Sequence, residues 1–351
     1  MHWVPSPYMH YAKMHQMVHP ARYELSSSAL AAAPVSEWPF VPTLDLQGHE
    51  PYGDVRAVEM LAVRYGVSVE SVFPTPGTTV ANLLAVGVLA RGRPVAVELP
   101  GYEPIRSMVA ATGARVRDLP RRHDWSIDLG EVEQVFRDGA GLLVVSDLYN
   151  PAGTTLAIDV LQRLDALARQ HDAWVLVDEV YLDGLPHRRP PAAALGERLV
   201  STAGLSKVYG LGGLRYGWLL AAPSVIEMAG GLADSLYAIM ATPVENLALQ
   251  VLEHLDWFKA RYHRILGANR PIMEAWLDRH PERFCIRPPG GLIYFVGIDE
   301  PSETFDRRLR QEHETGMAPG HFFGDEGFIR IGIGGPSEIL QAGLERIAAA
   351  C

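Results

Sequence analysis

The middle of the chain alternates short apolar runs with stretches of helical periodicity. Val95–Leu99, Leu142–Ser146, Trp174–Asp178 and Gly217–Ala221 are short, apolar and bounded by turn residues, which predicts buried strands. Between two of them lies Thr154–His171, where Leu156, Val160, Leu161, Leu164 and Leu167 recur at helical spacing. This alternation predicts an α/β fold with a largely parallel sheet, helices on both faces, and ligands at the carboxyl ends of the strands. From about Gln250 to Leu277 the pattern becomes one long helix or a broken pair. Two strand-like runs follow, Arg287–Val296 and Phe328–Gly332, separated by a Gly-rich loop. The expected organisation is a large domain over 45–255 and a smaller α+β domain made of 1–44 and 256–351 together.

Composition narrows the picture. With 351 residues, 48% hydrophobic and 21% charged, the chain is an ordinary globular one with length for two domains. A net charge of −10 without any Lys/Arg run disfavours a nucleic-acid surface, which needs clustered positive charge. Two cysteines, Cys285 and Cys351, make no disulfide framework and fit a reducing cytoplasm. Met1–Tyr23 lacks the unbroken apolar core of a secretory signal, and no stretch approaches the ~18–20 apolar residues of a membrane span. His2, His10, His15 and His19 show no arguable ligand geometry, so no metal is expected.

Four polar groups punctuate the strand ends. Asn150 opens the turn Asn-Pro-Ala-Gly after Leu142–Ser146. Asp178 ends Trp174–Asp178, and Tyr181 follows three residues later. Lys207 closes Ser201-Thr-Ala-Gly-Leu-Ser-Lys after a further short strand, and Arg215 comes eight residues on. A buried carboxylate without a partner is costly, so something cationic should face Asp178. A structural salt bridge to Lys207 or Arg215 is one way to meet that demand.

In order and spacing, Asn150-Pro-Ala-Gly, Val177-Asp-Glu-Val-Tyr181 and Ser206-Lys207 with Gly-Leu-Arg215-Tyr-Gly-Trp resemble the class I/II aminotransferase family of fold-type I pyridoxal 5′-phosphate (PLP) enzymes. Flanking segments agree. Phe73-Pro-Thr-Pro-Gly77-Thr78-Thr79 resembles the family's phosphate turn, and Pro100-Gly-Tyr102 the strand end carrying its ring-stacking aromatic. Pro289-Gly-Gly-Leu-Ile-Tyr294-Phe resembles the small-domain hairpin, and Pro319-Gly-His-Phe-Phe-Gly with Phe328-Ile-Arg330-Ile the carboxylate-binding end. The likeness covers roughly Gly48 to Gly335.

The resemblance implies a role for each residue. Lys207 would hold PLP as a Schiff base and later carry the proton; crowded by cations and partly desolvated, it should lose pKa. Asp178 would keep the pyridine nitrogen protonated, so that the ring acts as an electron sink. Tyr181 and Asn150 would donate to the ring's phenolic oxygen, and Tyr102 would lie on the ring face. Gly77, Thr78 and Thr79, ahead of the apolar run Val80–Leu89, would offer the phosphate a helix start and hydroxyls, and Arg215 would add a planar fork. Arg330 would take the substrate α-carboxylate in a bidentate pair. In His49-Glu-Pro-Tyr52-Gly-Asp, Tyr52 resembles a residue that reaches the phosphate of the neighbouring subunit, which implies a homodimer with shared active sites.

The chain also departs from the pattern. Many relatives carry a phosphate-binding hydroxyl three positions before the lysine; here Gly204 stands there, so the cup should be looser unless Thr79 compensates. The segment between Tyr294 and Arg330 is clipped, which should open the substrate side. Tyr23-Glu-Leu-Ser26-Ser27-Ser28 resembles the start of capreomycidine synthase-type members, which use PLP along the substrate side chain. Ser27 and Ser28, with His321 between Gly320 and Phe322, are therefore the candidate contacts to the substrate side chain. The expected function is a PLP-dependent aminotransferase acting on a small amino acid. The alternative is a lyase or β/γ-elimination or replacement (cyclising) enzyme of specialised metabolite biosynthesis. A PLP-binding transcriptional regulator is disfavoured, because the chain has neither spare length nor a basic helix.

Overall fold

The computed structural model describes residues 5–48 and 50–350; His2 of the histidine group, His49 ahead of Tyr52, and Cys351 lie outside them. In chain order the elements are α1 (Pro7–Ala12), β1 (Tyr23–Glu24), α2 (Val55–Tyr65), β2 (Val72–Thr75), α3 (Thr78–Leu89), β3 (Val95–Leu99), α4 (Glu103–Ala111), β4 (Val116–Pro120), α5 (Leu129–Arg137), β5 (Leu142–Ser146), α6 (Ile158–Gln170), β6 (Trp174–Asp178) and β7 (Leu199–Gly204). They continue with β8 (Gly217–Leu220), α7 (Pro223–Leu236), α8 (Thr242–Glu253), α9 (Leu255–Arg279), β9 (Ile293–Gly297), α10 (Ser302–His313), β10 (Thr315–Gly316), β11 (Ala318–Pro319), β12 (Phe328–Gly332) and α11 (Ser337–Ala350).

Every residue of β5 and β6 is buried, as continuous apolar runs in a sheet covered on both faces require. Successive side chains alternate between two cores: Leu143, Val145, Val175 and Val177 join one, Leu142, Val144 and Leu176 the other. Each such side chain contributes about 1.5–3 kcal/mol by leaving water. The sheet order is β2-β8-β7-β6-β5-β3-β4. The ladders from β4 through β7 are parallel, and β8 runs antiparallel to both β7 and β2. The sheet is thus mostly parallel and flanked by helices, the α/β fold-type I architecture. Its parallel strands send their carboxyl ends to one edge.

A smaller antiparallel sheet, β11-β12-β9, places Arg330 opposite Phe295. The stretch after β1 runs from β10 to the segment that follows β7. Leu25 N–H donates to the Gly316 carbonyl at 2.7 Å, and Leu30 N–H donates to the Lys207 carbonyl at 2.9 Å.

Four element boundaries differ from the sequence expectation. The helix expected over Thr154–His171 starts at Ile158, because the chain after Asn150 turns, with Tyr149 N–H on the Thr154 carbonyl at 2.7 Å. The strand expected over Gly217–Ala221 ends at Leu220. The Gln250–Leu277 pattern is a broken pair, interrupted at His254 (φ −118°, ψ 21°). The strand expected over Arg287–Val296 begins only at Ile293, since Pro288 and Pro289 cannot donate to a ladder and Gly290 and Gly291 turn the chain. Among the described residues no helix is long and apolar enough to cross a membrane.

Candidate active site

The carboxyl ends of β5, β6 and β7 open into a cleft of about 560 Å³ lined by Thr78, Thr79, Tyr102, Asn150, Asp178, Tyr181, Lys207 and Arg215, among others. Residues separated by more than a hundred positions meet there because parallel strands end at the same edge.

Asp178 is the last residue of β6. Its Oδ2 accepts from Asn82 Nδ2 at 2.8 Å and its Oδ1 from Val180 N–H at 3.2 Å. Asn82 is held in turn by Thr202 of β7, whose hydroxyl donates to Asn82 Oδ1 at 2.5 Å. Burial raises the Asp178 pKa, opposed by the Asn82 and Val180 bonds and the Lys207 charge. No salt bridge joins Asp178 to Lys207 or Arg215; its partners are neutral, so its charge still faces the cleft.

Lys207 lies just beyond β7, and its Nζ donates to Ser28 Oγ at 3.0 Å. Burial pushes this ammonium down to about 8, assisted by the charges of Arg330 and Arg215 and opposed by Asp178. Tyr181 donates its hydroxyl to the Ser28 carbonyl at 3.1 Å, and burial pushes the phenol up to about 12. Asn150 Oδ1 accepts from Arg330 Nη1 at 3.0 Å, which leaves the amide N–H groups as donors toward the cleft that Asn150 lines.

Arg330 is fully buried, and only neutral oxygens meet it. Nη2 donates to the Tyr8 hydroxyl at 2.6 Å and to the Ser26 carbonyl at 2.9 Å, while Nε has no partner. A buried cation with no acid and an idle N–H suits an incoming carboxylate.

The corner expected to take the phosphate is built from α3. Gly77 precedes the helix with φ +85°, and a Cβ there would come within 2.5 Å of Arg215 Nη2. The turn needs both the glycine's left-handed freedom and its missing side chain. Thr78 Oγ1 is buried without a partner, and Thr79 is exposed on the rim. A Cβ on Gly204 would lie 2.7 Å from Thr78 Oγ1. Thr78, rather than Thr79, therefore fills the space that the missing side chain at position 204 vacates. An orphaned hydroxyl, a helix start and Arg215 converge on one corner, while the unpaired acid Asp178 and the amine of Lys207 sit deeper. This donor set fits PLP.

Gly77, Ser28 and Arg330 stand behind the lining, against Arg215, Lys207 and Asn150, whereas three expected residues are not brought to this cleft within one chain. Ser27 alternates outward between buried Ser26 and Ser28, and its Oγ accepts only from Ala29 N–H. His321 lines a separate crevice with Glu98 and Phe322, its backbone N–H on Ser302 Oγ at 3.0 Å. Tyr52 is 53% exposed, with its hydroxyl 3.4 Å from Asp234. Conversely, Asn82, Tyr8 and Met9 belong to the site or its wall but carry no motif. Asn82 had one legible signal: it is the lone polar residue within the apolar run Val80–Leu89.

Comparison with known proteins agrees with this geometry. The family model "Aminotransferase class I and II" matches residues 49–347. Capreomycidine synthase of Streptomyces vinaceus is 30% identical over 267 residues, 72% of this chain and 67% of that protein. An arginine–pyruvate transaminase of Pseudomonas aeruginosa is 27% identical over 331 residues, 86% of this chain and 83% of that protein. A PLP-dependent aminotransferase structure from Streptococcus suis superposes with a TM-score of 0.90 at 24% identity, covering 100% of this chain and 98% of that one. A PLP-dependent cyclase structure superposes with a TM-score of 0.86 at 24% identity, over 99% and 97% of the two chains. Because the family match runs from the segment before α2 into α11, the chain belongs to the aminotransferase class I and II family, whose cofactor is PLP.

Proposed function

We propose that this protein moves the α-amino group of a small amino acid to a keto-acid acceptor, with Lys207 as the cofactor-bearing and proton-carrying residue. The observation that carries the reading is Arg330, a fully buried cation bonded to Asn150 of the cleft wall that meets no acid of its own. Such a group is costly unless a carboxylate arrives to pair with it. Arg330 would hold the substrate α-carboxylate through its fork, with Asn150 beside it. That pairing orients Cα toward the Lys207 amine, whose lowered pKa suits it to take and return a proton near neutral pH. When bound, PLP supplies the electron sink for bond cleavage at Cα. Asp178, fixed by Asn82, would hold a proton on the ring nitrogen, and Tyr181 and Asn150 would stabilise the ring oxygen. Gly77, Thr78, Thr79 and Arg215 would hold the phosphate, and Tyr102 would cover one ring face.

The division into a large domain (45–255) and a small one (1–44 with 256–351) belongs to the same reading. So does a cytoplasmic homodimer in which Tyr52 serves the partner's site. Its exposed position fits a residue that works across an interface. Chains carrying Tyr52→Ala and Lys207→Ala, mixed under proven subunit exchange, are expected to regain up to one working site per heterodimer; no recovery would refute donation in trans.

One observation favours a second reading. The Ser28 hydroxyl accepts from Lys207 Nζ, so the reacting amine is coupled to a group able to relay protons along a side chain. Capreomycidine synthase is among the relatives. Single-turnover reaction with a panel of amino acids separates the two readings. Stoichiometric keto acid and pyridoxamine phosphate support amino transfer. Many turnovers without an acceptor would replace it with elimination or cyclisation.

A further inference from the structure

The Arg330 guanidinium, read above as the substrate anchor, is covered. Its Nη2 is engaged by the Tyr8 hydroxyl at 2.6 Å, and the Tyr8 ring lies over the guanidinium, 5.5 Å from its carbon. Tyr8 is 3% exposed and wedged among Tyr102, Phe322 and Phe323, each with its ring centroid 5.6 Å away. It sits on α1, a helix of six residues. Polar ties from α4 hold that helix down: Ser6 Oγ and Tyr8 N–H both donate to Glu103 Oε2. Nε, on the same edge of the guanidinium as one Nη group, is buried without any acceptor.

We propose that the Tyr8 hydroxyl is a placeholder for the substrate carboxylate, so that a carboxylate binds Arg330 by exchanging with Tyr8 and displacing α1. The phenol oxygen gives the cation one neutral acceptor and leaves Nε idle. A carboxylate gives two charged acceptors in the geometry of the fork and satisfies both donors. The exchange therefore runs toward the carboxylate, while ligands without one leave Tyr8 in place. Tyr8 in this way sets selectivity for acids over amides and esters. The cover also limits the cost of burying a cation that has no acid beside it, because an aromatic face and a hydroxyl partly solvate it. Met9 and Lys13, which follow on the same segment, line the cleft, so displacement of α1 also reshapes the substrate wall.

The test uses holoenzyme, with propionate as the carboxylate probe and propionamide as its neutral control. Tyr8→Phe keeps the ring and removes the competing oxygen. By calorimetry it is expected to bind propionate about three- to ten-fold tighter than the parent, with propionamide unchanged. Backbone hydrogen exchange in α1 is expected to accelerate in saturating propionate and not in propionamide. Unchanged or weaker propionate binding by Tyr8→Phe overturns the proposal, and so does unchanged or slower exchange in α1. Arg330→Lys isolates the underlying reading. If that variant binds propionate as well as the parent, Arg330 is not the anchor. If it loses propionate while Tyr8→Phe gains nothing, the anchor stands and the exchange falls.

Discussion

Two buried arginines in this protein have opposite surroundings. Arg121, whose side chain is 1% exposed, carries its own counter-ion: Nε and Nη2 both donate to Glu98 Oε2, and Nη1 donates to the Trp125 carbonyl at 3.1 Å. Glu98 uses its other oxygen to accept from Ser146 N–H at 2.8 Å and Ser146 Oγ at 2.5 Å, which ties the ends of β3 and β5 together. Arg330 is equally buried but is surrounded by an amide oxygen, a phenol and a carbonyl. The two are linked. Ser146 Oγ accepts from Asn150 N–H at 3.1 Å, and Asn150 Oδ1 accepts from Arg330. A closed ion pair thus braces the scaffold on which an open cation stands. A cation that completes its charge within the chain holds the fold, whereas one left open is poised for a ligand. Lys207 belongs with Arg330, since its Nζ donates to the neutral Ser28 hydroxyl.

The comparison can be broken in several places, beginning with the largest effect. Lys207→Ala is expected to lower turnover by about three orders of magnitude or more while the far-UV spectrum stays close to the parent's. Borohydride reduction followed by peptide mapping should place the pyridoxyl group on Lys207; a label on another lysine would reassign the site.

Arg330→Ala and Arg121→Ala should separate binding from folding. Removing Arg330 is expected to weaken carboxylate binding by about 100-fold, roughly 3 kcal/mol, with little loss of stability in urea. Removing Arg121 leaves Glu98 buried and unpaired, and is expected to cost about 3–5 kcal/mol of stability. Equal stability losses in the two variants would erase the distinction between closed and open cations.

A third measurement follows pH in the cofactor-free protein. The Lys207 pKa is depressed from 10.5 to about 8 in the fold. Below about pH 8 the ammonium is charged in both folded and unfolded chains, so its burial costs stability. As pH rises from about 8 toward the unfolded value, the folded state gives up its proton first, and the cost disappears. The stability gained by Lys207→Met should therefore shrink over that interval, and capture of PLP by the apoprotein should speed up through about pH 8. A pH-independent difference would contradict the depressed pKa.

The smallest effect concerns the phosphate corner. Thr78→Val is expected to weaken PLP binding by about three- to ten-fold, the worth of one hydroxyl bond. Gly204→Ser, which brings a Cβ within 2.7 Å of Thr78 Oγ1, should also weaken it, and pairing that change with Thr78→Ala should recover part of the loss. Without recovery in the double variant, the two positions do not share one space.

Much of this protein was determined by local sequence. The apolar runs of β5 and β6 specify buried strands because leaving both faces in water would be unfavourable, and Asn150, Asp178, Lys207 and Arg215 are legible because each stands where a strand or turn ends. The cost of burying a carboxylate predicted a cationic partner for Asp178, but the packing met it with neutral donors, Asn82 and the Val180 N–H. Only the tertiary structure decided what stands next to what. It brought Tyr8 onto Arg330 across 322 positions, set Asn82 under Asp178 across 96, and turned Ser28 onto Lys207 across 179. It turned Ser27 outward and placed His321 in a different crevice, although in sequence both lie close to residues of the site. The physical reason is range: propensity and periodicity act within a turn or a strand, whereas a buried charge is satisfied by whichever distant oxygen the packing of two sheets delivers to it.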